Sequence, residues 1–264
     1  MRNRSSTTTC SAAALQAALR RIARPKVAKT SAWFFKTGPG EYGEGDQFIG
    51  VKVPEVRRVA RDFRALPLAE IGQLLESPIH EDRLAGLVVL VHQFERADEA
   101  GQKRIFDFYL ASTRRINNWD LVDVSAPQIA GGWLAERSRK PLLKLAKSAS
   151  LWERRTAIVA TLHFIRRGDF GETLTIAEML LGDRHDLIHK ATGWMLREVG
   201  KRDEAVLEGF LDPFAPRMPR TMLRYAIERM DEAKRMRYLS AGKCEAVAAR
   251  EKKKKEPRVA TRGS

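Results

Sequence analysis

The chain has 264 residues, a formal net charge of +15 and a sequence pI of about 10.1. That length can bury a sizeable core, and that charge suits a polyanionic partner through counterion release and steering, which disfavours a plain protein–protein adaptor. No apolar run reaches membrane-spanning length, and the two cysteines, Cys10 and Cys244, supply neither a disulfide framework nor a metal cluster, so a reducing cytosol fits.

The first residues, Met1-Arg2-Asn3-Arg4-Ser5, lack the apolar core of a signal peptide, and residues 1–11 read as a disordered leader. Residues 12–240 read as one helical domain, and 241–264 as a basic disordered tail. Positions 250–264 hold seven Lys/Arg and two Glu, so the rest of the chain keeps about +10. A basic body, rather than a sticky tail alone, points to nucleic acid.

From Ala12 onward most segments follow the helical period and strand-type alternation is scarce. Trp33, Phe34 and Phe35 precede a Gly-rich stretch over 36–50, and Phe48-Ile49-Gly50-Val51 leads to Pro54, a helix start. Leu84, Leu87, Val88 and Val91 form one apolar stripe, and Ile105, Phe108 and Tyr109 another. Leu142, Leu143 and Leu145 mark a shorter helix. Ile158, Leu162 and Ile165 follow Trp152. Ile176, Leu180 and Leu181 precede Leu187, Ala191, Trp194 and Met195. Breaks are expected at Pro54, Pro67, Pro78, Pro127, Pro141, Gly168, Gly182, Gly200 and around Pro213–Pro219. Helices of this length on short links predict an all-α array of antiparallel pairs. Their recurrence at roughly 35–45 residues suits a degenerate HEAT-like solenoid with a concave face. Periodicity alone leaves an irregular helical globule open.

Some tempting motifs fail. Gly38-Pro39-Gly40-Glu41-Tyr42-Gly43 matches GxGxxG in letters only. No strand precedes it, Pro39 has no amide for a phosphate, and Glu41, Glu44 and Asp46 would repel one. It reads instead as a shaped acidic loop whose glycines permit positive φ. His185 and His189 are four apart but lack a third metal ligand. His80-Glu81-Asp82 after Pro78 reads as a charged first helical turn. No phosphate-cradling loop of the Gly-x-x-x-x-Gly-Lys-Ser/Thr type is present. No cofactor or metal is expected.

Two segments stand out in this basic chain: Asn118-Trp119-Asp120-Leu121-Val122-Asp123 and Trp152-Glu153-Arg154-Arg155. Trp119 and Asp123 are four apart and share a helix face. Such a ring and carboxylate together can cover a sugar or base and stabilise a nearby positive charge. Taken singly, each residue has a plainer reading. Trp119, Trp152 and Trp194 suit a core, Asp120 and Asp123 suit a cap and a salt bridge to Arg154 or Arg155, and the arginines suit a solvated face.

Together, over roughly residues 30–225, the motifs resemble the AlkD-type DNA alkylation repair glycosylases, a HEAT-like-repeat family. Phe48-Ile49-Gly50-Val51-Lys52-Val53-Pro54-Glu55-Val56-Arg57 is similar to that family's first motif. Asn118–Asp123 resembles its tryptophan–aspartate motif, Trp152–Ala157 its arginine motif, and Ile188–Glu198 its second tryptophan motif, in the same order. The resemblance implies a catalytic carboxylate at Asp123, aromatic walls at Trp119 and Trp194, and a cation near the backbone at Arg155. It also implies DNA contacts at Phe34, Lys52, Arg154 and Lys190.

The implied reaction is hydrolysis of the N-glycosidic bond of cationic N3- or N7-alkylated purines in duplex DNA. Such a base is already a good leaving group, so a carboxylate that steadies the oxocarbenium-like sugar and positions water suffices. The base need not be flipped into a pocket. Double-stranded DNA carrying alkylated bases is then the partner, no membrane is involved, a monomer is the expected state, and the cytosol or nucleoid the expected place. A non-catalytic helical-repeat protein that binds damaged or bent DNA or RNA is the alternative. The carboxylate separates the two readings, because a pure phosphate groove gains nothing from an Asp at its centre.

Overall fold

A computed structural model describes residues 10–240. The expected tail over 241–264, with Cys244, lies outside the described residues, as does the leader apart from Cys10 and Ser11. Ser11 caps the first helix, its hydroxyl accepting the Ala14 amide. The described chain is all-helical; its one β-type feature is an isolated bridge between Gln47 and Ile79. No described helix is long and apolar enough to cross a membrane. The residues fall into two compact units dividing between His163 and Phe164. One domain over 12–240 remains an expectation from sequence.

The first unit holds α1 (Ala12–Arg21), α2 (Pro25–Phe34), α3 (Val53–Asp62), α4 (Leu68–Glu76), α5 (His80–Phe94), α6 (Glu99–Ala111) and α7 (Trp119–Ala126). A π turn over Pro127–Gly131 carries α7 into α8 (Gly132–Leu134), followed by α9 (Lys140–Ala146) and α10 (Leu151–Ala160). The short α11 (Leu162–Ile165) runs across the division.

α5 is the hub, packed on by α3, α4 and α7, while α7 and α9 pack on α10. Twelve of the fifteen α5 residues are buried, so this helix has no polar face to water. An all-round buried helix needs partners for every polar group it brings inside. That explains the chemistry of its first turn below.

Pro127 was expected to break the chain and does not. It lacks the amide that would continue the α ladder, and the backbone absorbs the loss with a π turn in which the Gly132 amide reaches the Pro127 carbonyl. Gly131 then lies so close to α10 that a Cβ there would stand 2.3 Å from the Ala160 carbonyl oxygen. Glycine is what lets the two helices meet. Pro213 likewise sits inside a helix, near its end.

The second unit holds α12 (Gly171–Met179), α13 (Asp186–Gly200), α14 (Glu204–Phe214) and α15 (Arg220–Ala226), and residues 232–240 are also helical. α13 packs against the other three named helices and buries Ile188, Ala191, Met195, Leu196 and Val199. That spacing is the helical period read from the sequence. The 232–240 segment is tied to α14 by Lys234 to Glu204 and Glu208 and by Arg237 to Asp212.

Candidate active site

Asn118 starts the site. Its Oδ1 accepts the Trp119 amide at 2.8 Å, capping α7, and its Nδ2 donates to Asp46 at 2.9 Å. Leu121 and Val122 fill the core beneath. Trp119 and Asp123 therefore project from the same face of α7, as their spacing predicts.

α10 starts at the Ser150 cap, and Glu153 accepts hydroxyls from Thr113 and Ser148. This fixes Arg155, whose guanidinium is almost fully buried. It grips Asp123 with both arms: Nε to Oδ1 at 2.9 Å and an Nη to Oδ2 at 2.8 Å. The Asp123 side chain keeps 20% of its surface open. Burial pushes its carboxyl above the ordinary value of 3.8, with Arg155 pulling against that shift and the nearby Asp120 adding to it. Behind the pair, the buried Tyr109 hydroxyl meets Ser125 at 3.1 Å, and burial lifts its pKa to about 12, so it stays neutral.

An aromatic stack backs Trp119. Phe35 lies parallel to it at 5.2 Å and to Phe48 at 5.0 Å, and Phe48 stacks on His80 at 4.6 Å. Phe34, 55% exposed, meets Trp119 edge-on at 5.9 Å. Sequence reasoning chose Phe34 and passed over Phe35, which makes the parallel contact.

Beneath the stack lies a network that the sequence reading missed. His80, Glu81 and Asp82 do open α5, but they are buried and serve as long-range anchors. The His80 ring nitrogens face two carboxylates, Asp46 at 3.1 Å and Asp120 at 2.8 Å. With an acceptor at each nitrogen the ring holds both protons. Burial alone would lower its pKa, but Asp120 and Asp46 outweigh that and hold it at about 9. Arg83 closes the network by binding Asp46 and the Ser77 carbonyl. Burial opposes ionisation of Asp46, yet His80, Arg83 and Asn118 keep its carboxyl below the usual range. Glu81 accepts amides from Ile49, Gly50 and Val51, the shortest at 2.8 Å. Asp82 accepts from Gln16, Arg20 and Ser77.

The structure thus brings Trp119, Asp123, Arg155 and Phe34 into one region. Arg154 donates to the Ser148 and Ala149 carbonyls, bracing the turn before α10. Lys52 is exposed at the start of α3, where Glu55 accepts its amide. Trp194 and Lys190 belong to α13 in the second unit. Trp194 is half-buried and bonds to Glu198, and Lys190 pairs with Asp186 at 2.7 Å. His185 caps α13 by accepting the Leu187 amide, and His189 contacts the Asp183 carbonyl, so both have structural partners.

The fold and site define an all-helical protein with a partly open carboxylate, paired to arginine and walled by tryptophan. Residues 15–230 match the sequence profile of the family described as DNA alkylation repair enzyme, and the chain belongs to that family. No curated protein matches it significantly. Among solved structures it is similar to one titled "Predicted DNA alkylation repair enzyme from Enterococcus faecalis". The two are 15% identical, with a TM-score of 0.62 over 80% of this chain and 97% of that one. This likeness extends to the fold. A role in the repair of alkylated DNA follows from the family.

Proposed function

We propose that the chain is a DNA glycosylase that hydrolyses the N-glycosidic bond of cationic N3- or N7-alkylated purines in duplex DNA. The observation that carries this reading is the Asp123 carboxylate, clamped by Arg155 yet one-fifth exposed, on the same helix face as Trp119. The buried Asp46–Arg83 pair closes over both partners. At Asp123 one edge of an oriented carboxylate stays reachable.

As the C–N bond lengthens, positive charge grows on the sugar. Asp123 steadies that charge and orients the attacking water, and Arg155 fixes the carboxylate's direction. Trp119 packs on the sugar and attracts it more strongly as it becomes cationic. The departing base carries its own positive charge and needs no general acid. Trp194 is a second wall in this proposal, and Phe34, Lys52, Arg154 and Lys190 contact the DNA. Lysines and arginines bind phosphates without reading sequence. The substrate is double-stranded DNA and the protein acts as a monomer in the cytosol or nucleoid.

One observation favours a binding-only protein: Arg155 already occupies both Asp123 oxygens. The test is base release from duplex DNA carrying 7-methylguanine, comparing the wild type with Asp123→Asn. Release by the wild type and its loss in a variant that still binds DNA supports the glycosylase. DNA binding with no release by the wild type leaves the binding protein.

A further inference from the structure

The Gly-rich segment over 36–50 has no part in the reaction as described, and its construction is unusual for a surface loop. It folds on itself through its own acids. The Gly38 amide donates to Glu41 and the Gly40 amide to Glu44, each at 2.9 Å, and the Gly43 amide reaches the Lys36 carbonyl at 3.0 Å. It is then fastened below at two buried points. Asp46 enters the His80–Arg83–Asn118 network, and the amides of Ile49, Gly50 and Val51 converge on Glu81. Gly50, at φ +84°, lies against α2 so closely that a Cβ would stand 2.1 Å from the Arg24 carbonyl oxygen. The base of the segment cannot swing aside without exposing buried charge, and the tip is braced on that base by its own hydrogen bonds.

Its upper part touches both helices of the site. Trp119 stands one turn before Asp123 on α7, and Trp152 one turn before Arg155 on α10. Phe35, which caps the end of α2 and leads directly into the segment, stacks on Trp119 at 5.2 Å. Tyr42, at its tip, meets Trp152 edge-on at 6.2 Å. The Tyr42 hydroxyl also reaches the Phe34 carbonyl at 3.5 Å, and its ring is only half-buried. One fixed segment therefore bridges the tryptophans that flank the ion pair.

We infer that the 36–50 segment is a rigid wall of the cleft and that Tyr42 limits the size of the alkyl group accepted there, a reading that rests on the proposed glycosylase activity. A methyl substituent passes beneath the ring. A bulky N7 adduct collides with a wall whose anchors do not yield, so the preferred substrates are small adducts.

The test compares kcat/KM for base release from duplexes carrying 7-methylguanine or 7-benzylguanine. In Tyr42→Ala the benzyl-to-methyl ratio should rise about tenfold or more, the usual worth of steric discrimination in a pocket. Methyl release should stay within about threefold of wild type. Tyr42→Phe keeps the ring and should keep the wild-type ratio; a ratio that rises as far as in Tyr42→Ala would place the effect in the hydroxyl and overturn the wall. A Tyr42→Ala ratio within about twofold of wild type overturns the wall while leaving the glycosylase intact. If the wild type releases neither base, the glycosylase reading falls first and the wall with it.

Discussion

Two charged clusters are anchored on α7 near Trp119, and they are built to different ends. In the first, Asp46 and Asp120 enclose His80, with Arg83 behind; Asp46 and His80 are nearly closed to solvent, each Asp46 oxygen has a cationic donor, and only Asp120, 13% exposed, reaches the surface. In the second, Asp123 and Arg155 make an equally good bidentate pair, yet the carboxylate retains an open edge. Both balance two signs of charge. The first is finished as a structural joint; the second leaves a charged group oriented and reachable. The difference teaches that strong pairing alone does not mark a site; the access left to Asp123 is what makes it the candidate.

Breaking each cluster should separate stability from activity. Asp46→Ala strips a buried joint of its centre and leaves His80 and Arg83 without that partner. Chemical denaturation should show a loss of about 3–5 kcal/mol, with base release per folded molecule much less affected. Asp123→Asn also leaves the buried Arg155 charge uncompensated and should cost stability, but its larger effect is on rate, cutting single-turnover release per folded molecule by about 10²–10³-fold while DNA affinity persists. An unchanged rate would remove Asp123 from the chemistry.

The two clusters should also answer to pH in different ranges. His80 is raised from 6.5 to about 9, so its stabilising effect is fully present below about pH 6.5 and disappears as pH climbs through 9. Up to about 3 kcal/mol should be lost across that interval, and His80→Gln should flatten the denaturation profile there. A flat wild-type profile would mean the ring is not held as a cation.

For Asp123 the shift is also upward, but the consequence is on the acid side of the rate profile. Its active, ionised form should fade at a pH above the ordinary 3.8. Arg155 pulls that carboxyl down, so Arg155→Gln should move the acid midpoint to higher pH, with a modest fall in the plateau rate. A midpoint that stays put would show that Arg155 does not tune this group.

The sequence made the helices legible because apolar residues at the helical period need only local information. Leu84, Leu87 and Val88 are buried in α5, and Ala191 and Met195 in α13, as their stripes predict. The Trp119–Asp123 pairing was equally local, and the order of four motifs supplied Arg155. The closed cluster was invisible for the opposite reason. Its partners lie 34 to 72 residues apart and no periodicity links them. Read locally, His80-Glu81-Asp82 is just a polar helical start. Glu41 and Glu44 read only as part of an acidic loop because they accept backbone amides, which a sequence does not display. Phe35 was missed because neighbouring Phe34 carries the same chemistry, and only packing decides which ring lies flat.

The π turn after α7 makes this protein unequally tolerant of two kinds of genetic change. It holds one residue more than a regular turn, and it separates the helix bearing Trp119 and Asp123 from Gly131, the point where that helix locks against α10. Replacing a side chain within 127–131 alters a contact. Losing a single codon there would wind the segment back to regular helix and turn Asp123 about 100° around the axis, away from Arg155.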